Sequence, residues 1–219
     1  MGKTVYKTID GIRLSFICQL AKNCGIQMSE SKASIYSSDH HTFLTKRFDR
    51  DADGNRIHFI SAMTLLGYQD GADAQAGVSY LELAELLIQR GAEVTNDLKQ
   101  LWRRIVFNIC VSNTDDHLRN HGFLLTNKGL RLSPAFDINP DSKGYGLNLN
   151  INEYSNELDL GLALEVAPYF RLNEKVAGAI ISQVKTSVAK WKTIADSMKI
   201  SRKEIEQMSP AFNVIYKKA

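Results

Sequence analysis

The sequence predicts an α+β fold, and three observations lead there. Several stretches repeat apolar residues at helical spacing, two others place β-type runs on either side of turn residues, and the carboxyl half is patterned mainly for helices. A chain of 219 residues, 44% hydrophobic and 23% charged with only four prolines, can bury the core of one globular domain, or of a large domain with a smaller appendage.

The first helix is marked by Leu14, Ile17, Cys18, Leu20 and Ala21, and it stops at Cys24-Gly25, where glycine is the expected terminator. Next, the run from His41 to Phe48 and the run from Arg56 to Ile60 flank Asp51-Ala-Asp-Gly-Asn55. Those turn residues predict a hairpin of two antiparallel strands. Ser79-Tyr-Leu-Glu82 is a capping box ahead of Leu83, Leu86 and Leu87, with Gly91 closing that helix. Leu98, Leu101, Trp102, Ile105, Val106 and Ile109 then hold one helical face without a miss, so this helix is buried. It delivers the chain into the loop "NTDDHLRNHGFLL", residues 113–125. A short hairpin from Phe123 to Leu132 follows, and Ser133 to Pro140 carries a second acid, Asp137, back toward that loop. From Leu158 onward the spacing is helical again through Val176, Ile180, Val184 and Trp191, with no internal repeat and no linker.

Several function classes are excluded or left without support. The longest apolar run, Ile105 to Val111 with Asn108 inside it, is far too short to span a membrane. The opening MGKTVYKTIDGIRL has no secretory pattern, so the cytoplasm is the expected compartment. Cys18, Cys24 and Cys110 form no CxxC pair and sit in apolar surroundings, as buried reduced thiols do. A net charge of +3 and a pI near 8.7 make no argument for direct nucleic-acid binding, and Lys217-Lys218 reads as a solvated tail.

Three readings compete for the loop at 113–125. His117 and His121 stand four apart, a zinc spacing, but Asn120 and Gly122 disfavour a helix there and no third ligand is marked. A capped loop would use Asn113, Asp115, Asp116 and Asn120 to satisfy backbone N–H groups. Phosphoryl transfer accounts for more. An Asp orients the attacking hydroxyl, an Asn five residues on holds Mg²⁺, and an acid beyond a short hairpin bridges metal to phosphate, which are roles that Asp115, Asn120 and Asp137 fit.

"NTDDHLRNHGFLL" followed by "RLSPAFDINP" resembles the catalytic loop and metal-binding segment of the HipA-like serine/threonine kinases, the toxins of bacterial toxin–antitoxin pairs. The resemblance extends through "FLTKRFDRDADGNRIHF", "SYLELAELL" and "VAKWKTIADSMKIS", most of the chain. It implies a protein-kinase-like α+β fold, with residues 1–45 a truncated small lobe and 46–219 a hairpin hinge and mostly helical large lobe. It implies Asp115 as catalytic base with His117 bracing the loop, Asn120 and Asp137 as Mg²⁺ ligands, and the backbone from Lys46 to Phe48 as the hinge for the adenine of ATP. Arg119 stands where the family often has Lys, and keeps a charge able to meet a phosphate as a fork. The implied partners are a protein substrate and a helix-turn-helix (HTH) antitoxin, through which alone DNA would be reached.

The chain departs from the family in its first residues. None of its fourteen glycines forms a phosphate-loop pattern, and Arg13-Leu14 replaces the Asn-Glu pair that often opens the first helix. Lys3 and Lys7 lie too close to that helix for the strand Lys that pairs the nucleotide phosphates, and read as a solvated terminus. Two accounts follow: one part of a split kinase completed by a separate small-lobe polypeptide, or a silent truncated lobe that serves as a binding module. On either account Phe16, Ile17, Leu20 and Phe43 are expected to form an apolar face covered by a second copy in a homo-oligomer, by another polypeptide or by rearranged local chain.

Overall fold

A computed structural model describes residues 3–7, 11–36 and 41–216; Lys217 and Lys218 lie outside them. The chain forms two small antiparallel sheets and eight α-helices among the described residues, and one continuous apolar core joins the helices to the second sheet. The first sheet holds β1 (Lys3–Lys7), β2 (Ser31–Ser34) and β3 (Thr42–Lys46) in the order β1-β3-β2, and α1 (Gly11–Asn23) runs between β1 and β2 in sequence. Lys3 and Lys7 are strand residues in β1, paired in register with Lys46 and Thr42. Gly25, at φ 78°, follows α1 as the spacing predicts.

The hairpin predicted over residues 41–60 forms only at its tip. Asp51 Oδ1 accepts the Asp53 and Asn55 N–H groups at 3.0 and 2.8 Å, and Asp51 N–H reaches Asn55 O at 3.1 Å. The two strands then part: β3 pairs with β1 and β2, whereas β4 (Phe59–Ser61) pairs with β5 (Gly122–Thr126) in the second sheet. Aromatic packing decides this. Phe48 stacks on Phe136 at 5.7 Å and meets Phe59 at 5.8 Å, and Phe59 lies over Gly122, where a Cβ would stand 2.1 Å from its ring. Drawing these rings together outweighs the few ladder bonds a longer hairpin would add. The second hairpin forms as expected, β5 with β6 (Gly129–Leu132), in the register Phe123 opposite Leu132.

The large helical part begins with α2 (Ala62–Leu66), α3 (Tyr80–Arg90) and α4 (Val94–Val111). The capping box at α3 is present, with Glu82 accepting the Ser79 N–H at 3.0 Å. Leu98, Leu101, Trp102, Ile105, Val106 and Ile109 are all fully buried, so α4 is the central strut of the core. Each such side chain contributes ~1.5–3 kcal/mol of burial. Against it pack α5 (Leu160–Val166), α6 (Glu174–Val188) and the 3₁₀ segment Ser209–Tyr216, while α7 (Trp191–Ser197) packs on α1 and α8 (Arg202–Met208) on the 3₁₀ segment. The face of α1 is covered by the chain itself: Phe16 meets Phe212 edge-on at 6.4 Å, and Phe212 stacks on Trp191 at 4.2 Å. Phe16, Ile17, Leu20 and Phe43 are all buried, and of the covers expected for this face it is local chain, Phe212 and Trp191, that closes the α1 part of it.

Candidate active site

The strut α4 ends at Ser112, which turns left-handed at φ 50° and anchors its hydroxyl on Ala211 O at 2.9 Å. The loop beyond it is built on backbone bonds: Asn113 N–H to Asn108 O, His117 N–H to Asp115 O and Asn120 N–H to His117 O, at 2.9, 3.0 and 2.8 Å. Asn120 closes the loop, its Nδ2 donating to Asp115 O at 3.1 Å. This spends the amide nitrogen and leaves the amide oxygen outside that bond. Asp115 is exposed.

The segment carrying Asp137 returns to the same place. Asn139 N–H donates to Asn113 Oδ1 at 3.2 Å and Asp141 N–H to Ser112 O at 3.0 Å, stitching residues 139–141 to the start of the loop. Asp137 itself is exposed and adopts φ 55°, a left-handed conformation unusual for a residue other than glycine. Its Oδ1 accepts from Asn139 Nδ2 at 3.0 Å.

Beneath the loop lies a buried polar cluster that the sequence reading passed over. Asp116, 4% exposed, accepts three hydrogen bonds on Oδ2: from Tyr80 Oη at 2.7 Å, Asn108 Nδ2 at 2.7 Å and His121 Nε2 at 2.9 Å. Burial alone would raise its pKa. The charge and hydrogen bond of His121, the Tyr80 hydroxyl and the Arg104 guanidinium more than offset that, and the carboxyl is held below the usual range. Arg104 is also buried. Desolvation draws its pKa down to about 10 against the pull of Asp116 and Asp97, and it donates to Ser133 O at 2.5 Å. The signal in the sequence was Asn108, the lone amide on the apolar face of α4.

The remaining site residues are placed as follows. His117 contributes backbone bonds while its buried Nδ1 has no hydrogen-bond partner, and the His121 imidazole bonds Asp116 through Nε2. Neither histidine belongs to a cluster of three or more His, Cys, Asp or Glu able to hold a metal, and no such cluster occurs among the described residues. Arg119 forms an ion pair with Asp70. Lys46 spends its N–H on Glu30 O at 2.8 Å and its ammonium on the Glu30 carboxylate at 3.4 Å. A groove of about 880 Å³ runs along β2 and β3 past Leu44, Lys46 and Arg47 to the Asp51 turn; Asp115, Asn120 and Asp137 are not on its wall.

A carboxamide oxygen and a carboxylate are hard donors that suit Mg²⁺, which takes one or two protein oxygens and completes its shell with water and phosphate. Asn120 and Asp137 fit that pattern, whereas a structural zinc site would need the closed N/S set that is absent among the described residues.

Sheet order, helix placement and loop together define a protein-kinase-like α+β fold. The chain belongs to the HipA-like C-terminal domain family, whose model matches residues 15–192. It is 26% identical over 129 residues to a Haemophilus influenzae protein and 28% identical over 131 residues to Y4mE of Sinorhizobium fredii, both carrying provisional kinase designations. These matches take in 54% and 57% of this chain but 38% and 31% of the relatives, so the chain spans about a third of the length of the curated relatives it matches. Among solved structures it is similar to HipA of Shewanella oneidensis MR-1, determined with HipB and operator DNA, at a TM-score of 0.71 and 16% identity over 93% of this chain and 54% of that one. It is also similar to the Helicobacter pylori proinflammatory kinase CtkA, at a TM-score of 0.54 and 11% identity over 94% of this chain and 91% of that one. No described helix is long and apolar enough to cross a membrane.

Proposed function

We propose that the chain is a HipA-like kinase component that transfers the γ-phosphate of ATP to a Ser or Thr hydroxyl of a protein. The observation that carries this reading is the stitching of the Asp137 segment to the loop of Asp115 and Asn120 through Asn113 and Ser112. In this mechanism Asp115, exposed at the loop surface, orients the acceptor hydroxyl and takes its proton. Asn120 and Asp137 would hold Mg²⁺, and the ion would supply charge neutralisation on the phosphates of ATP. Because the Lys46 N–H is already paired, the hinge contact to adenine falls to residues at and beyond the end of β3, toward Phe48. Residues 1–45, with β1, β2, α1 and most of β3, serve as the small lobe, and residues 46–219 as the large one. An HTH antitoxin is the natural partner, by likeness to a structure that contains HipB and DNA.

A silent binding module is the second reading. It is favoured by the engagement of Arg119, the loop cation, with Asp70. Transfer of label from γ-labelled ATP, measured with the chain alone and with a small-lobe polypeptide encoded beside it, separates the two. Mg²⁺-dependent transfer that Asp115→Asn abolishes supports the kinase. No transfer in either assembly, with no calorimetric binding of Mg²⁺-ATP, leaves the binding module.

A further inference from the structure

We propose that Asn113 is a positioning residue for the metal-binding carboxylate of Asp137, acting through a one-way hydrogen-bond relay anchored on buried Asp116. This rests on the reading of Asp137 as a Mg²⁺ ligand given above. The relay has four bonds. Asn108 Nδ2 donates to Asp116 Oδ2 at 2.7 Å, Asn113 Nδ2 to Asn108 Oδ1 at 3.1 Å, Asn139 N–H to Asn113 Oδ1 at 3.2 Å, and Asn139 Nδ2 to Asp137 Oδ1 at 3.0 Å.

Its direction is set at both ends. The Asp116 oxygen accepts from three donors and carries no proton, so Asn108 must offer its nitrogen and turn its oxygen outward. Asn113 must then offer nitrogen to that oxygen, which points its own oxygen at the Asn139 backbone N–H, a group that can only donate. Flipping either amide would set donor against donor at one end and acceptor against acceptor at the other. Asn108, Asn113 and Asp116 are 1%, 0% and 4% exposed, so water does not repair such a mismatch. The anion that holds the relay is itself held by Tyr80 and His121, with Arg104 adding its field.

The relay ends at one of the four described non-glycine residues with a positive φ. Asp137 sits at φ 55°, a left-handed conformation uncommon for a side chain with a Cβ, which persists when the surroundings over-determine it. Two residues on, Asn139 supplies that constraint with both its groups: the main-chain N–H ties the segment to Asn113, and the side-chain amide fixes one carboxylate oxygen of Asp137. The other carboxylate oxygen of this exposed residue takes no part in that bond. A plain helix-capping role for Asn113 would need only its backbone, which already bonds Asn108 O at 2.9 Å; the side chain goes further, to the metal segment.

The test is calorimetric binding of the non-hydrolysable analogue AMP-PNP to the full chain, with Mg²⁺ and with EDTA in its place. Asn113→Ala should weaken binding of the Mg²⁺ complex about tenfold or more, the usual effect of losing a residue that orients a metal ligand, and leave metal-free binding unchanged. Asn139→Ala keeps the backbone bond and loses only the amide to Asp137. It should show a smaller loss of the same metal-dependent kind, and serves if Asn113→Ala does not fold. Equal losses with and without Mg²⁺, or no loss in Asn139→Ala, would overturn the relay while leaving the metal site intact. A wild-type chain whose AMP-PNP affinity ignores Mg²⁺ would overturn the metal reading itself, and the relay with it.

Discussion

The hydroxyl of Tyr80, on the first turn of α3, donates to Asp116 Oδ2 at 2.7 Å, so a helix thirty-six positions upstream holds the floor of the candidate catalytic loop. Both residues are buried, and Asp116 takes two further bonds on the same oxygen. Tyr80→Phe removes one of three donors to a buried anion without opening a cavity. Bonds to charged groups contribute about 1.5–3 kcal/mol, so urea unfolding should show a loss in that range, larger than a Tyr→Phe change at an exposed site such as Tyr169.

Asp116 also sets a direction for acid stability. Its folded pKa lies below the ordinary carboxylate value, the pull of His121, Tyr80 and Arg104 exceeding the penalty of burial. A depressed folded pKa stabilises above the unfolded value, near 3.9, and that contribution disappears as pH falls through the folded pKa. The wild type should therefore lose stability steeply on acidification below about pH 4, and Asp116→Asn, less stable at neutral pH, should lose less over the same interval. Chemical denaturation at a series of pH values reads both slopes; parallel curves would contradict the assignment.

The three cysteines give a prediction about reactivity. Cys24 and Cys110 are wholly buried, and desolvation pushes both thiols up to about 12; burial also raises Cys18. Thiolate is the reactive form. An aromatic disulfide reagent at pH 8 should release almost no colour from the native chain within minutes and three equivalents after unfolding.

How much of this could be read in advance depends on whether a feature is local. The face of α4, the capping box at α3 and the β5–β6 hairpin follow from spacing within one element, and they appear where the pattern puts them. The β3–β4 hairpin fails because its rival is non-local: Phe48 and Phe59 pack with Phe136, and Gly122, sixty-three residues past Phe59, makes room for the ring. The same holds for α1, whose apolar face is closed by Phe212 and Trp191 from the far end of the chain. At the site, Asp115, Asn120 and Asp137 stand out by type and spacing. Asp116 beside Asp115 does not, because a sequence cannot show which of two adjacent acids turns inward. Asn108 within the apolar run was the available hint, since a buried amide calls for polar company.

The two exposed acids of the site should separate by what each substitution removes. Asp115 closes the loop only through its backbone carbonyl, which accepts from Asn120, so Asp115→Asn keeps that bond and the shape of the side chain while removing the base. Under the kinase reading, kcat should fall by a factor on the order of 10²–10⁴ with Mg²⁺-nucleotide affinity nearly unchanged. On the same reading Asp137→Asn would replace a carboxylate ligand by an amide, and should weaken Mg²⁺-nucleotide binding by about 10-fold or more before any effect on the chemical step is counted. Steady-state transfer rates combined with calorimetry on both variants make the distinction. If Asp115→Asn impairs binding as much as Asp137→Asn does, Asp115 is a further ligand or a structural residue and the base lies elsewhere.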